Sequence, residues 1–427
     1  MKALKLVLSL ALVAFLFTQC QKDEMSDVVP NEDLKKGKVP EASYTVTVEN
    51  VSTPYDYFEA GAKFIPDGAS EAGPAHPGES FTFGFHAGPN HKLSIATMYG
   101  LSNDGFYAFG EEGISLYSGG APLDGDITSE IMLWDAGTQV NQMPGPSNPH
   151  SGADEGGVVV KMSDVADGYD YGTVATNLHA TIEYHGNSWF TVTINVLGTS
   201  TTAISPVAWV VHSGMQTPIF EEGEMASEEL EMIAETGNAE PLAHHLKWNS
   251  GYVSPIAPVL WVLHDKKDMP VFTEGMADYG DGLEVLAETG NPGPLHTSLA
   301  DAGYETGAQA TRTDGTSGPL FPEQKYEIQI YGKVGQTLSF ASMLGASNDI
   351  FFSTGDKGIK LSNGVAEKDL THFFELYDAG TEVNEYPGTQ TSADTEEGGV
   401  VRMLDDVDDG YIWPTASQVI KVTIKKN

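Results

Sequence analysis

Two stretches of this chain repeat each other. Residues 98–145 read MYGLSNDGFYAFGEEGISLYSGGAPLDGDITSEIMLWDAGTQVNQMPG, and residues 343–388 read MLGASNDIFFSTGDKGIKLSNGVAEKDLTHFFELYDAGTEVNEYPG. Both carry SND, an aromatic pair, GI-x-L, DAGT, VN and PG in the same order. Upstream the match continues without a gap: Phe81 and Tyr326, Met98 and Met343, Asp104 and Asp349 all lie 245 positions apart. A constant offset across successive period-two segments means that the copies share strand register as well as composition. The chain therefore holds a duplicated β module, and any fold assigned to it must accommodate two of them.

The segments around the block agree with this. Phe81–Phe85 and Lys92–Met98 alternate apolar and polar residues, as do their counterparts Tyr326–Ile330 and Thr337–Met343. The strand Tyr44-Thr-Val-Thr-Val has a counterpart in Phe190-Thr-Val-Thr-Ile, and each copy closes on a further strand, at Ala180–Tyr184 and Ile420–Ile424. With 47 Gly and 23 Pro and no long apolar run after the N-terminus, the pattern is one of many short strands joined by turns. The expected fold is all-β, two antiparallel β-sandwich domains, the second with short helical insertions.

The turn-forming His185-Gly186-Asn187 suggests the division. Domain one is expected over 43–185 and domain two over 187–427. The extra length of the second is assigned to an internally repeated insertion at about 206–296. Its first unit runs through Trp209, His212, Phe220 and Gly237, and its second through Trp261, His264, Phe272 and Gly290. Each unit reads as an apolar strand and a short helix. Ser227 and Asp281 are expected to cap the helices, and Gly237 and Gly290 to end them in the left-handed conformation.

At the N-terminus, Lys2 and Lys5 precede an apolar run from Leu6 to Phe17, too short to span a bilayer and of signal-peptide length. Phe17-Thr-Gln-Cys20 resembles the lipobox of a bacterial lipoprotein, with Gln19 departing from the usual small residue. Residues 1–20 are expected to be the signal peptide, Cys20 the lipidation site and 21–42 a disordered tether. Cys20 is the sole cysteine, so no disulfide can form within the chain. Asp23-Glu24 after it points to an outer membrane lipoprotein that is surface-exposed. A formal charge of −38 repels nucleic acid and anionic lipid, leaving the acyl chains as the only membrane contact.

Each copy places one aspartate after Ser-Asn and another at the start of DAGT: Asp104 and Asp135, Asp349 and Asp378. Four residues after the second aspartate stand Gln139 and Glu382, respectively. Oxygen ligands from two loops at one end of a sandwich suit Ca²⁺, which takes about six to eight oxygens. On this reading the second copy is the better equipped, with three carboxylates against two and an amide. The alternative is that each aspartate caps its loop by accepting backbone N–H bonds. His212 and His264 occupy matched positions without a second histidine at helical spacing and read as packed or capping residues. No metalloprotease, serine-hydrolase, phosphate-loop or dinucleotide motif is present.

The SND…DAGTEVNEYPG block resembles the spondin domain, over about 320–427 together with the Trp-Val-x-His and Leu-Ala-Glu-x-Gly segments upstream. Copy one resembles it over about 43–185. The resemblance implies an antiparallel β-sandwich with calcium bound at one end by Asp349, Asp378 and Glu382, and in copy one by Asp104, Asp135 and Gln139. The animal domain has disulfides and this chain has none. The expected function is a calcium-binding adhesion or ligand-binding lipoprotein without catalytic activity, its partner an extracellular protein or glycan. The rival readings are a carbohydrate-active or other hydrolase with a carboxylate site, and a purely structural outer-membrane component.

Overall fold

A computed structural model describes residues 40–390 and 395–427. The expected signal peptide, Cys20 and nearly all of the tether lie outside the described residues. In chain order the main elements are β1 (Glu41–Asn50), β2 (Glu59–Lys63), β3 (Ser80–His86), β4 (Lys92–Met98), β5 (Gly105–Ala108), β6 (Met132–Asp135), β7 (Leu178–Tyr184), β8 (Trp189–Val196) and β9 (Val207–His212). Helices α1 (Glu228–Thr236) and α2 (Glu240–Trp248) follow, then β10 (Val259–His264), α3 (Leu283–Thr289) and α4 (Gly293–Asp301). The chain ends with β11 (Glu305–Gln309), β12 (Lys325–Lys333), β13 (Thr337–Met343), β14 (Ile350–Ser353), β15 (Glu375–Asp378) and β16 (Ile420–Lys426).

These form two antiparallel sandwiches, each with a helix pair outside its larger sheet. In the first, the smaller sheet runs β3–β8–β7 and the larger β6–β5–β4–β9–β2, with short edge strands added to each. The second repeats this as β12–β1–β16 and β15–β14–β13–β10–β11. Burial follows from the layers. Strands of the smaller sheets cover a core on one face only, so β1 buries Tyr44, Val46 and Val48 and turns the residues between them outward. β9 lies between a core and a helix pair, so every residue of its VAWVVH is buried. On the helix side Ala208 and Val210 pack with Leu230, Ile233, Leu242 and Leu246.

Strand pairing departs from the expected division at 185–187. β1, expected to open the first domain, is the central strand of the second sandwich's smaller sheet, pairing Val46 with Ile328 and with Ile424. β8, expected to open the second, sits in the first, pairing Ile194 with Phe81 and with Ala180. The expected insertion at 206–296 is no insertion in a single domain. Its first unit joins the first sandwich, with Trp209 opposite Gly61, and its second joins the second, with Trp261 opposite Gly307. The first sandwich is thus set into the second, between β1 and β10.

The reason is local. β7 returns directly into β8 through Gly186, Asn187 and Ser188, all at positive φ, and closing so short a loop costs far less entropy than closing a long one. β8 therefore fills the slot beside β7, and the matching slot beside β16 is left for β1. The two crossings between sandwiches lie side by side, where the N–H groups of Asp56 and Tyr57 both donate to the Asn249 carbonyl at 3.1 and 3.0 Å.

The helix ends follow the sequence with one exception. Ser227 accepts from the Leu230 N–H, and Gly237 and Gly290 adopt left-handed φ of 70° and 69°. At α3 the cap position is Gly282, at φ 108°, in place of Asp281, and no side chain caps the helix.

Candidate loop-end carboxylate pairs

Strand register brings each pair of aspartates together. Asp135 ends β6 opposite Gly105, the neighbour of Asp104, and Asp378 ends β15 opposite Ile350, the neighbour of Asp349. A separation of about 30 residues in the chain becomes adjacency across an antiparallel pair. All four carboxylates are buried.

One oxygen of the first aspartate caps the DAGT loop. Asp104 Oδ2 accepts from the Thr138 N–H at 2.9 Å, the Thr138 hydroxyl at 3.2 Å and the Gln139 N–H at 2.9 Å. Asp349 Oδ2 does the same with Thr381 and the Glu382 N–H. The other oxygen, Oδ1 of Asp104 and of Asp349, is buried and has no hydrogen-bond partner. Capping thus occupies half of each carboxylate and leaves the other half unsatisfied, which is costly for a buried charge.

The second aspartate is held by an asparagine six residues on. Asp135 accepts from the Gly137 N–H at 2.7 Å and from Asn141 Nδ2, and Asp378 accepts from the Gly380 N–H at 2.6 Å and from Asn384 Nδ2 at 3.2 Å. The amide oxygens of Asn141 and Asn384 are themselves buried and unpartnered. Sequence reasoning missed these asparagines as site residues, although the VN that holds them is present in both copies.

The expected third ligands are not gathered in. Gln139 Oε1 accepts from the Gly152 N–H at 2.6 Å and from Asn103 Nδ2 at 3.4 Å, so that amide oxygen ties down its own loop. Glu382 reaches Asp349 through its backbone N–H, while the residue lines a cleft with Asn348, Glu385 and Gln390. Among the described residues, no group of three His, Cys, Asp or Glu side chains is placed to hold a metal.

The copies differ in charge. Arg402, on the short edge strand Arg402–Met403 beside β15, donates to Asp378 Oδ2 at 3.0 and 3.3 Å and also bonds Glu397 at 2.7 Å. Its counterpart opposite Asp135 is Val160. Burial, and then the neighbouring Asp135, raise Asp104 to about 6. Burial, and then Asp378, raise Asp349 to about 7. Burial also raises Asp378, with Arg402 working against it. Among the described residues, the first pair has no such cation.

The matched histidines are packed, as expected. Nδ1 of His212 accepts the Gly214 N–H, so its Nε2 carries the proton and donates to Ser94 Oγ at 3.0 Å. That tautomer cannot take a proton from Ser94. His264 donates from Nδ1 to the Asp265 carbonyl and accepts from Ser339 at 2.9 Å, but both residues are closed to solvent.

A scan of protein-family models found no match to this chain, and a search of curated proteins found none. The spondin resemblance rests on the residues themselves.

Proposed function

We propose that this chain is a non-catalytic, calcium-binding lipoprotein of the outer cell surface, working in adhesion or ligand binding. The observation that carries the reading is the buried pair Asp104 and Asp135. Among the described residues it has no cation bonded to it, and oxygens of Asp104 and Asn141 are left without partners. A divalent ion is the natural complement, since Ca²⁺ is ligated by carboxylate and amide oxygens together with backbone carbonyls and water. Asp104, Asp135 and Asn141 would hold it. The aspartates are too deeply buried to reach a substrate, which favours a structural ion over paired-carboxylate hydrolysis. The ligand would be an extracellular protein or glycan.

This reading reverses the ranking expected from the sequence. Arg402 already supplies positive charge to Asp378, so the first copy, not the second, is the stronger calcium site. Calorimetric titration of the full chain should give one saturable calcium site. Asp135→Ala should abolish it, and Arg402→Val should add a second by making the second copy resemble the first. Absence of binding heat in the wild-type chain would sink the proposal. The anchor is tested separately: a Cys20→Ser chain should leave the membrane fraction, and its retention there would contradict lipidation.

A further inference from the structure

The helix pairs of the two sandwiches repeat each other on their inner sides and differ on their outer sides. Leu230 and Leu283, and Leu246 and Leu299, both lie 53 positions apart and pack into matched cores. At the same offset Glu229 gives way to Gly282, Glu240 to Gly293, His244 to Thr297 and Trp248 to Asp301. The second pair packs with small, neutral or acidic residues at these places, so the fold does not need those of the first. The first pair nonetheless leaves Trp248 77% exposed.

Trp248 has a companion. His244, one turn back on α2, holds its ring plane within 17° of the indole, with centroids 6.2 Å apart. An open depression of about 620 Å³ is lined by these two rings with Glu229, Glu240, His245 and Asn249. Lys247 is exposed but does not line it, and among the described residues no other lysine or arginine does.

The rings set the shape of a ligand and the carboxylates set its rim. A group held between parallel rings needs about 7 Å, two contacts of about 3.5 Å, so nothing fits between His244 and Trp248. A ligand must lie on the open face of the indole. One open face is not the cage of aromatic walls that captures an ammonium group. An apolar side chain laid on it would strip water from Glu229 and Glu240 without giving them a donor. A pyranose ring suits both demands. Its C–H face, slightly positive, meets the negative face of the indole, and its hydroxyls donate to the carboxylates. A glycan bearing carboxylate or sulfate groups would meet two like charges and no lysine or arginine. We infer that the outer face of α1 and α2 binds a neutral glycan, stacked on Trp248 and held through its hydroxyls by Glu229 and Glu240. Rings with equatorial hydroxyls, as in β-linked glucose, present the flat face the site requires. This deepens the ligand-binding reading above and rests on it, but uses none of the calcium residues.

Calorimetric titration of the full chain with cellohexaose tests the site. Binding should be saturable and should hold its affinity from about 0.05 to about 0.5 M salt, because a neutral partner has no charge to screen. Trp248→Ala should weaken it about tenfold or more. Glu229→Gln with Glu240→Gln should weaken it about fivefold, since the charged acceptors are lost. Circular dichroism melts of the variants should match wild type. Hexalysine and trigalacturonate, titrated alongside, should not bind. The inference is overturned if cellohexaose does not bind, if Trp248→Ala binds it as well as wild type does, or if hexalysine or trigalacturonate binds as tightly. Calcium titration of Trp248→Ala should match wild type, so a failure of this site and a failure of the calcium site are read separately.

Discussion

A chain that begins at Ser52 should keep its first sandwich and lose its second. β1 is the middle strand of the second sandwich's smaller sheet, bonded on both edges, and it buries Tyr44, Val46 and Val48 in that core. Full burial of three such side chains is worth about 5–9 kcal/mol in transfer alone, comparable with the whole stability of a typical domain, about 5–15 kcal/mol. Its removal also strands the backbone groups of β12 and β16 that faced it, and unpaired strand edges invite aggregation. Scanning calorimetry should show one cooperative transition lost. Hydrogen exchange should show protection gone from Lys325–Lys333 and Ile420–Lys426 but retained in Trp189–Val196. A peptide spanning 41–50, added in trans, should restore the second sandwich. If the truncated chain kept both transitions, the exchange of β1 and β8 between sandwiches would be wrong.

The second large effect is a calcium stabilisation that grows with pH. Asp104 and Asp349 are raised in the folded chain to about 6 and about 7. A group raised on folding contributes stability that is full below its unfolded value and is lost as pH rises through its folded value. Without calcium, these two groups should therefore remove stability between about pH 4 and pH 7. The rise of Asp104 to about 6 corresponds to about 3 kcal/mol, since each tenfold change in proton affinity is worth about 1.4 kcal/mol. Burial holds His91 and His212 down to about 4. Their stability is present above about 6.5 and lost as pH falls through about 4, so over that range the histidines offset the carboxylates, and the calcium effect is read as the difference between curves with and without the ion. Saturating calcium binds the ionised Asp104 and Asp135 of the first copy, so it should raise the melting temperature, and by more at pH 8 than at pH 5. Asp135→Asn removes the repulsion on Asp104. It should raise the melting temperature of the calcium-free chain at pH 8 and abolish the response to calcium. Parallel curves with and without the ion would refute this account.

Much of the fold was legible in the residues. Alternation over Tyr44–Val48 and Phe190–Ile194 marked strands and named their buried faces, and the apolar PVAWVVH and PVLWVLH marked strands, which the structure covers on both sides. The acid pairs were legible too, because antiparallel register brings Asp104 to Asp135 and Asp349 to Asp378. Their surroundings were not. Whether Gln139 and Glu382 turn toward the pair depends on loop contacts with Gly152 and Glu396, about ten or more residues further on. That Arg402 stands beside Asp378, where Val160 stands beside Asp135, depends on a short edge strand whose two residues carry no periodic pattern.

By itself the sequence determined that there are two equivalent modules, which residues of each strand face inward and which aspartates meet. Tertiary structure alone decided which module each strand completes. β1 and β8 present nearly the same alternation, so either slot satisfies either strand equally well, and periodicity cannot choose between them. The choice falls to chain connection. The tight turn at Gly186–Ser188 commits β8 to the first sandwich, and the paired crossings at Tyr57 and Asn249 let β1 reach the second. The same nesting places the two modules against each other. The loop carrying Tyr386 is thereby packed against His86 and Gly88, while Met143, in the matching position of the first copy, is exposed.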